Sequence, residues 1–302
     1  MTLEQLRIFV AVAEREHLTR AAAALRLTPS AVSAAVHALE TRYGVVLFHR
    51  VGRRIELSET GRVFLIEAKA TLASARTAEL ALSELAGLKR GMLTIQASQT
   101  IASYWLPPFL VAFKVAYPAI DVVLREDNSA GVTQAVLAGT ADLGFLEGDI
   151  DAPALLVVTV AHDRLVIVAA LDHPLAKRRQ VKPQDLANAS WILREVGSGT
   201  RAMFETAMRA QSIDPTMLTV TLELPTNEAV CAAARAGPHL TVVSELVARP
   251  HLDARRLTLI PLDLDTRAFS LIRHKERYRT KAAQAFEAML PDFRDAWSGG
   301  GI

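Results

Sequence analysis

The chain has 302 residues, 51 % hydrophobic and 22 % charged, enough for two or three globular domains; its formal net charge of +2 divides into 13 Lys and Arg against 9 Asp and Glu up to Arg90, then 21 against 23. No charged start leads into an apolar stretch with a small-residue cleavage site, and no uninterrupted apolar run reaches ~18 residues, so neither export nor a membrane span is supported and a cytoplasmic location is expected. The single Cys231 allows no internal disulfide and no cysteine zinc site, and the eight histidines show no HExxH-like spacing, so no metal or other cofactor is expected.

Thr2 and Gln5 have the spacing of a capping box, and Leu3, Leu6, Phe9, Val10 and Ala13 form an apolar stripe behind it. This predicts a first helix that braces the next two. Thr19 is a candidate cap for a short second helix through Ala21 to Leu25. Thr28 followed by Pro29 supplies an N-cap with proline at the first helical position, and the third helix runs to about Tyr43 and stops at Gly44. Val32, Val36, Leu39 and Tyr43 share one stripe of it. The opposite face carries Ser30, Ser33, Ala34 and His37, small or hydrogen-bonding residues that let a helix enter the major groove of DNA as a recognition helix. A strand from Val45 to Phe48, a turn at Val51-Gly52 and the alternating Ile55-Glu56-Leu57 then read as a hairpin. Its tip carries Arg50, Arg53 and Arg54, placed to hold phosphates rather than to read bases.

From Ser58 to about Leu88 no proline intervenes, and Leu65, Ala68, Leu72, Ala75, Ala78, Leu82 and Leu85 recur at steps of three and four. A helix of roughly 30 residues is about 45 Å long and cannot bury such a stripe alone, so a partner helix and a dimer are expected, the alternative being that the helix packs back on its own chain. Gly87 and Lys89-Arg90-Gly91 read as a hinge. Beyond it strands alternate with helices, as in an α/β fold with a largely parallel sheet. Strands are expected at Met92–Ala97, Ile120–Arg125, Leu143–Leu146, Leu165–Ala170, Trp191–Leu193, Leu218–Glu223, Leu240–Val243 and Arg267–Arg273. Helices are expected at Tyr104–Ala116, Val132–Ala138, from Thr200, at Asn227–Ala236 and at Lys281–Trp297. The order describes two lobes joined by crossings.

Two stretches put hydroxyls and open backbone N–H groups at a helix start after a strand: Ser98-Gln99-Thr100 and Gly197-Ser198-Gly199-Thr200-Arg201. Such termini attract anions. Across a cleft both would face one small anionic effector, with Arg194 or Arg201 to neutralise it and Asn128 and Ser129 completing the rim. Glu147, Asp149 and Asp151 read as a solvated acidic loop, and Cys231, among Ala229, Ala232 and Ala233, as a small core residue. No GxSxG elbow and no GxxxxGK[ST] loop is present, so no catalytic residue is assigned. The alternative is a cytoplasmic small-molecule enzyme on a two-lobed fold with a DNA-binding head.

Residues 1 to 90 resemble the winged helix-turn-helix of LysR-type transcriptional regulators: MTLEQLRIFVAVAE is similar to the family's first helix, LTRAAAALRLTPSAVSAAVHALE to its helix-turn-helix, and YGVVLFHRVGRRIELSETG to its wing. The segments ASQTIASYWLPPFL, YPAIDVVL, LAGTADLGFLEG and LREVGSGTR resemble the family's effector domain, which is similar to periplasmic (type II) binding proteins. LREVGSGTR is close to that of members controlling sulfur assimilation or carbon fixation. The resemblance implies an α/β chain with a winged helix-turn-helix at 1–58, a linker helix at 59–90 and an effector domain at 91–302, with lobe I about 91–161 and 267–302 and lobe II about 162–266. It further implies double-stranded DNA with a pseudo-palindromic operator as partner, antiparallel pairing of linker helices, and a homodimer or a homotetramer built as a dimer of dimers. RNA polymerase is a candidate partner. Two departures stand out. Ala34 follows Ser33 where many members have a basic or long polar residue, and ARAGPHLTVVSE lacks a second glycine in its turn.

Overall fold

The computed structural model describes residues 1–51, 54–85, 91–148 and 150–298. They divide into two compact units, Met1–Leu88 with the short stretch Ala138–Thr140, and the rest of the chain.

In the first unit α1 spans Leu3–Arg15 and opens with the expected capping box: the Gln5 N–H donates to Thr2 Oγ1 at 3.2 Å and the Thr2 N–H to Gln5 Oε1 at 3.0 Å. Ile8 and Val12 pack with Ala21, Ala22, Val32, Val36 and Ile55, while Leu6, Phe9 and Ala13 pack with Leu39, Leu47 and Ala68. Leu3, expected on that stripe, is exposed. The second helix, α2, is Leu18–Leu25, and its cap is His17 rather than Thr19. His17 is the last extended residue, and its Nδ1 accepts the Arg20 N–H at 3.4 Å, whereas Thr19 already lies in the first turn. α3 spans Pro29–Tyr43. Thr28 Oγ1 accepts the Ala31 N–H at 3.2 Å, and Gly44 ends the helix at φ 64°, where a Cβ would be strained. Val32, Val36 and Leu39 are buried, but Tyr43 at the C-terminal end of their stripe is 52 % exposed.

The wing is β1, Phe48–Val51, paired antiparallel with β2, Arg54–Leu57, in a register that sets Phe48 opposite Leu57 and Val51 opposite Arg54. The first strand thus begins at Phe48, not Val45. The Val45 N–H closes α3 on the Glu40 carbonyl and the Leu47 N–H is taken by Glu40 Oε1 at 2.8 Å, so these donors are spent before the ladder begins; Glu40 Oε1 also accepts the Phe48 N–H at 3.3 Å. α4, Glu59–Leu85, starts where Ser58 Oγ accepts the Gly61 N–H at 2.9 Å. Ala68 is buried and Leu65 and Leu72 are partly so, while Val63, Ile66 and Leu82 are more than half exposed. The expected turn at Gly52, the side chain of Leu85, and Gly87, Lys89 and Arg90 of the expected hinge lie outside the described residues.

The second unit contains β3 (Gly91–Ser98), α5 (Pro107–Ala116), β4 (Ile120–Asp127), α6 (Ser129–Ala138), β5 (Leu143–Glu147), β6 (Leu155–Ala169), α7 (Pro183–Ala187) and β7 (Ser190–Arg194). There follow α8 (Gly199–Ala210), β8 (Thr219–Leu224), α9 (Asn227–Arg235), β9 (Thr241–Ser244), α10 (Glu245–Asp253), β10 (Thr258–Leu259), β11 (Thr266–His274) and α11 (Lys281–Ser298). The main sheet runs β10-β6-β11-β5-β3-β4, with β9 also on β6. It is mixed rather than largely parallel: β4 and β5 flank β3 in parallel, but β11 is antiparallel to both β5 and β6. The reason is that the chain returns along β11 from the second lobe to the first. β6 is not a strand confined to the second lobe from Leu165. It is 15 residues long and passes through both lobes beside β11, and these two strands are the crossings. The Tyr104–Ala116 helix is shorter than expected, because a π turn at Ile101–Trp105 precedes α5.

Lobe I closes over Leu93, Ile95, Trp105, Phe113, Phe145, Phe269 and Phe286. In lobe II Trp191, Phe204, Met208 and Val242 lie on one face of the sheet and Val230, Val243 and Val247 on the other. Among the described residues no helix is long and apolar enough to cross a membrane.

Candidate DNA-binding face and effector cleft

On α3 the apolar stripe faces α1 and α2, so the helix presents its other side. Ser30, Ala34, His37 and Ala38 are exposed and Ser33 is half-buried. Thr28 Oγ1 also lies 3.0 Å from Ser30 Oγ, and His37 Nε2 lies 3.4 Å from Thr41 Oγ1, so these groups are ordered without being sequestered. Pro29 fixes the helix start and is itself exposed. Arg50 is exposed on β1 and Arg54 begins β2; Arg53 and the side chain of Arg54 lie outside the described residues. Glu40 ties the end of α3 to the base of the wing through the two N–H groups it accepts, so helix and hairpin are held in one orientation. Sequence reasoning passed over this residue.

The two helix starts of the second unit come together at the cleft, but not as two open anion sites. Gln99, Thr100, Arg194 and Asn227 are all buried and bond to one another. Gln99 Oε1 accepts from Arg194 Nη1 at 2.9 Å and from the Asn227 N–H at 2.6 Å, and Asn227 Nδ2 donates to Thr100 Oγ1 at 3.1 Å. Gln99 Nε2 and the Tyr104 hydroxyl both donate to Glu228, at 3.1 and 2.9 Å. Lobe I is thereby fastened to the start of α9, a helix not assigned to the site beforehand. Arg194 is further occupied by Glu195 through Nε and Nη2, at 2.8 and 3.0 Å. Arg201 turns away from the expected anion: it pairs with Glu205 at 2.9 Å and with Glu223, and donates to the Arg194 carbonyl at 3.0 Å.

The other expected residues line the remaining side. Ser198 caps α8, its Oγ accepting the Arg201 N–H at 3.5 Å. Gly199 is pressed against lobe I so closely that an added Cβ would overlap the Glu147 carbonyl and Ser129 Oγ. Asn128 caps α6 through the Gly131 N–H and reaches Glu195 with Nδ2 at 3.3 Å, and Ser129 donates to the Glu147 carbonyl at 2.9 Å. Glu147 itself is not a solvated loop residue. It ends β5, is 3 % exposed, and its carboxylate accepts from the Ser98 hydroxyl and lies 3.5 Å from Thr200 Oγ1. Of its two expected loop partners, Asp151 is exposed and Asp149 lies outside the described residues.

Behind Glu147 stands Arg267, which the sequence reading missed. Its side chain is fully buried on β11, directly opposite Asp163 of β6, and it reaches Asp163 at 2.8 Å, Thr200 Oγ1 at 3.0 Å and Glu147 at 3.5 Å. A crossing strand thus delivers one cation to groups of both lobes. Burial pushes the Asp163 carboxyl above its ordinary value, against the opposing pull of Arg267 and of the Ser244 hydroxyl at 2.8 Å. Burial likewise raises the Cys231 thiol, buried against Val230, Val243 and Val247, to about 12, as a core residue requires. Among the described residues no cluster of His, Cys, Asp and Glu could hold a metal ion.

A winged helix in one chain with a two-lobed domain and its polar cleft defines a DNA-binding regulator with an effector-binding domain. Residues 3–62 match the bacterial regulatory helix-turn-helix proteins of the lysR family, and residues 86–294 match the LysR substrate binding domain. The uncharacterized HTH-type transcriptional regulator YeiE of Escherichia coli (strain K12) is 35 % identical over 288 residues, covering 95 % of this chain and 96 % of that one. The RuBisCO operon transcriptional regulator of Allochromatium vinosum is 33 % identical over 299 residues, covering 96 % and 95 %. Among solved structures, full-length CbnR complexed with its target DNA superposes with a TM-score of 0.70 at 23 % identity, over 97 % of this chain and 99 % of that one. The regulatory domain of Synechocystis PCC6803 CcmR in complex with 2-PG superposes with a TM-score of 0.62 at 25 % identity, over 68 % and 98 %. The chain belongs to the LysR family of transcriptional regulators.

Proposed function

We propose that this regulator docks α3 in the major groove of a pseudo-palindromic operator, with Thr28, Pro29, Ser30, Ser33 and His37 at the groove and Arg50, Arg53 and Arg54 on the phosphates, and that a small anionic effector held between the lobes adjusts this binding. Ser98, Ser129, Ser198, Gly199 and Thr200 form the effector's wall. Arg267 supplies the positive charge expected beforehand of Arg194 and Arg201, and Gln99, Thr100, Asn128 and Arg194 set how the lobes meet. The observation that carries this reading is the Ser198–Thr200 helix start of lobe II seated against Ser129 and Glu147 of lobe I, with Arg267 beneath it. A ligand there touches both lobes, and only such a ligand gains leverage over their angle.

The protein works as a homodimer or as a homotetramer built from two dimers, in the cytoplasm. Support for the dimer comes from α4, whose Val63, Ile66 and Leu82 are 60, 58 and 68 % exposed in the single chain. An enzyme is the weaker reading: the curated relatives are named as regulators, and the lone thiol is buried with its acidity suppressed.

The test is a thermal-shift screen of small anions on the full chain, followed by operator affinity with and without the hit. The expected result is a change in operator affinity that Thr200→Val abolishes while basal DNA binding stays. A full response in that variant moves the pocket elsewhere.

A further inference from the structure

Among the described residues, carboxylates outnumber the cations around the cleft, so some of them must share a cation. Arg194 is held by Glu195, Arg201 by Glu205 and Glu223, and Arg267 by Asp163, its register partner on the neighbouring crossing strand. Glu147 shares Arg267 with Asp163 and is the more distant of the two. It lies 3.5 Å from Arg267, accepts the Ser98 hydroxyl and lies 3.5 Å from Thr200 Oγ1. These three groups, from β11, β3 and α8, are the donors that an incoming anion would use. The chain's own carboxylate already sits on them, and at 3 % exposure it is shielded from the water that would otherwise screen it.

We propose that Glu147 is a tethered competitor for the effector: its carboxylate holds the anion position of the cleft, and an anionic effector binds only by displacing it from Ser98, Thr200 and Arg267. The proposal rests on the effector site proposed above and adds the residue that sets its affinity. Two like charges within a few ångströms cannot both keep the same donors. The affinity of the site is therefore the intrinsic affinity multiplied by the fraction of molecules in which Glu147 has left. Gly199 fits this role, because the absence of a side chain lets α8 approach the Glu147 backbone closely enough for Thr200 to reach the carboxylate.

The experiment titrates the full chain with inorganic phosphate and, separately, with sulfate, by calorimetry. It compares the natural protein with Glu147→Gln, which keeps the shape and still accepts from Ser98, and with Glu147→Asp, which keeps the charge. Glu147→Gln should bind both anions at least about tenfold more tightly, since a charge a few ångströms away is removed at an effective dielectric near 20. Glu147→Asp should stay near the natural affinity. Equal or weaker binding to Glu147→Gln overturns the proposal, as does equal tightening in both variants. Thr200→Val in the Glu147→Gln background separates this from failure of the site itself. If the double variant keeps the tightened affinity, the anion binds elsewhere and the effector site falls. If Thr200→Val weakens binding but Glu147→Gln never tightens it, the site stands and the competitor does not.

Discussion

Asn227 of lobe II donates from Nδ2 to the hydroxyl of Thr100 in lobe I at 3.1 Å, and both side chains are buried, at 0 and 1 % exposure. Neither partner can turn to water if the other is removed. Thr100→Val should therefore leave an amide hydrogen without an acceptor and cost about 1–3 kcal/mol of effector-domain stability, read from urea unfolding. A variant as stable as the natural protein would mean that the lobes are not fastened through this bond.

Gly199 leads to a steric expectation. The methyl of Gly199→Ala would overlap the Glu147 carbonyl and Ser129 Oγ, and the first of these is backbone that cannot rotate aside. Overpacking of this kind typically costs about 1–3 kcal/mol. Here it is expected to separate the start of α8 from lobe I, lowering the melting temperature and removing the effector response together. Calorimetry beside an operator titration checks both. An unperturbed melting temperature would show that α8 yields without loss.

The features legible in the sequence are those whose cause is local. Thr2 with Gln5, Thr28 with Pro29, and Gly44 each act within one helical turn, so their residue types suffice to place a helix end. Thr19 failed for an equally local reason, since His17 offers a ring nitrogen where a hydroxyl was sought. Glu147 was out of reach. The run from Glu147 to Asp151 reads as an exposed acidic loop, and what buries its first member is Ser98, 49 residues away, together with a guanidinium from the returning strand. Arg267 itself lies in the unremarkable run Thr266–His274, and only the pairing of β11 with β6 reveals that it faces Asp163. Helix α10 was not among the expected elements; Pro250 stands inside it and withholds one backbone N–H from its hydrogen bonds. The geometry of the proposed anion position was thus only partly legible. The helix start and hydroxyls were visible, whereas the pairing of Arg194 and Arg201 with nearby carboxylates was not.

Cys231 gives a pH-dependent expectation. In the folded chain burial holds its thiol up at about 12, while in the unfolded chain it ionises near its ordinary value of about 8.5. Between these values the unfolded state has released a proton that the folded state keeps, so stability falls as pH rises, by up to about 1.4 kcal/mol per pH unit from this group. Cys231→Ala should remove that part of the slope between about pH 9 and 11. At about pH 9, just above the ordinary thiol value, iodoacetamide should label the natural protein only as fast as it opens. Rapid labelling without denaturant would place the thiol at the surface.

The last expectation separates the two halves of the DNA-binding face by what each can read. Arg53 and Arg54 at the wing would neutralise phosphates, which every sequence presents alike. Arg53→Ala with Arg54→Ala should therefore weaken operator and random DNA by the same factor. It should also flatten the dependence of log affinity on log salt by up to about two units, at roughly 0.9 for each phosphate no longer neutralised. Ser33 and His37 stand instead on the outer side of α3, where base edges are within reach of a docked helix, and Ala34 and Ala38 beside them add no competing polar group. Ser33→Ala and His37→Ala should reduce operator affinity with little change on random DNA. The ratio between the two should drop by roughly tenfold for each base-edge hydrogen bond removed, each being worth about 1–3 kcal/mol. Their salt slopes should stay as in the natural protein. Fluorescence anisotropy on both DNAs at several salt concentrations distinguishes the patterns. An equal loss on operator and random DNA in the α3 variants would assign Ser33 and His37 to the backbone, and sequence choice would then rest on the shape of the operator rather than on this helix.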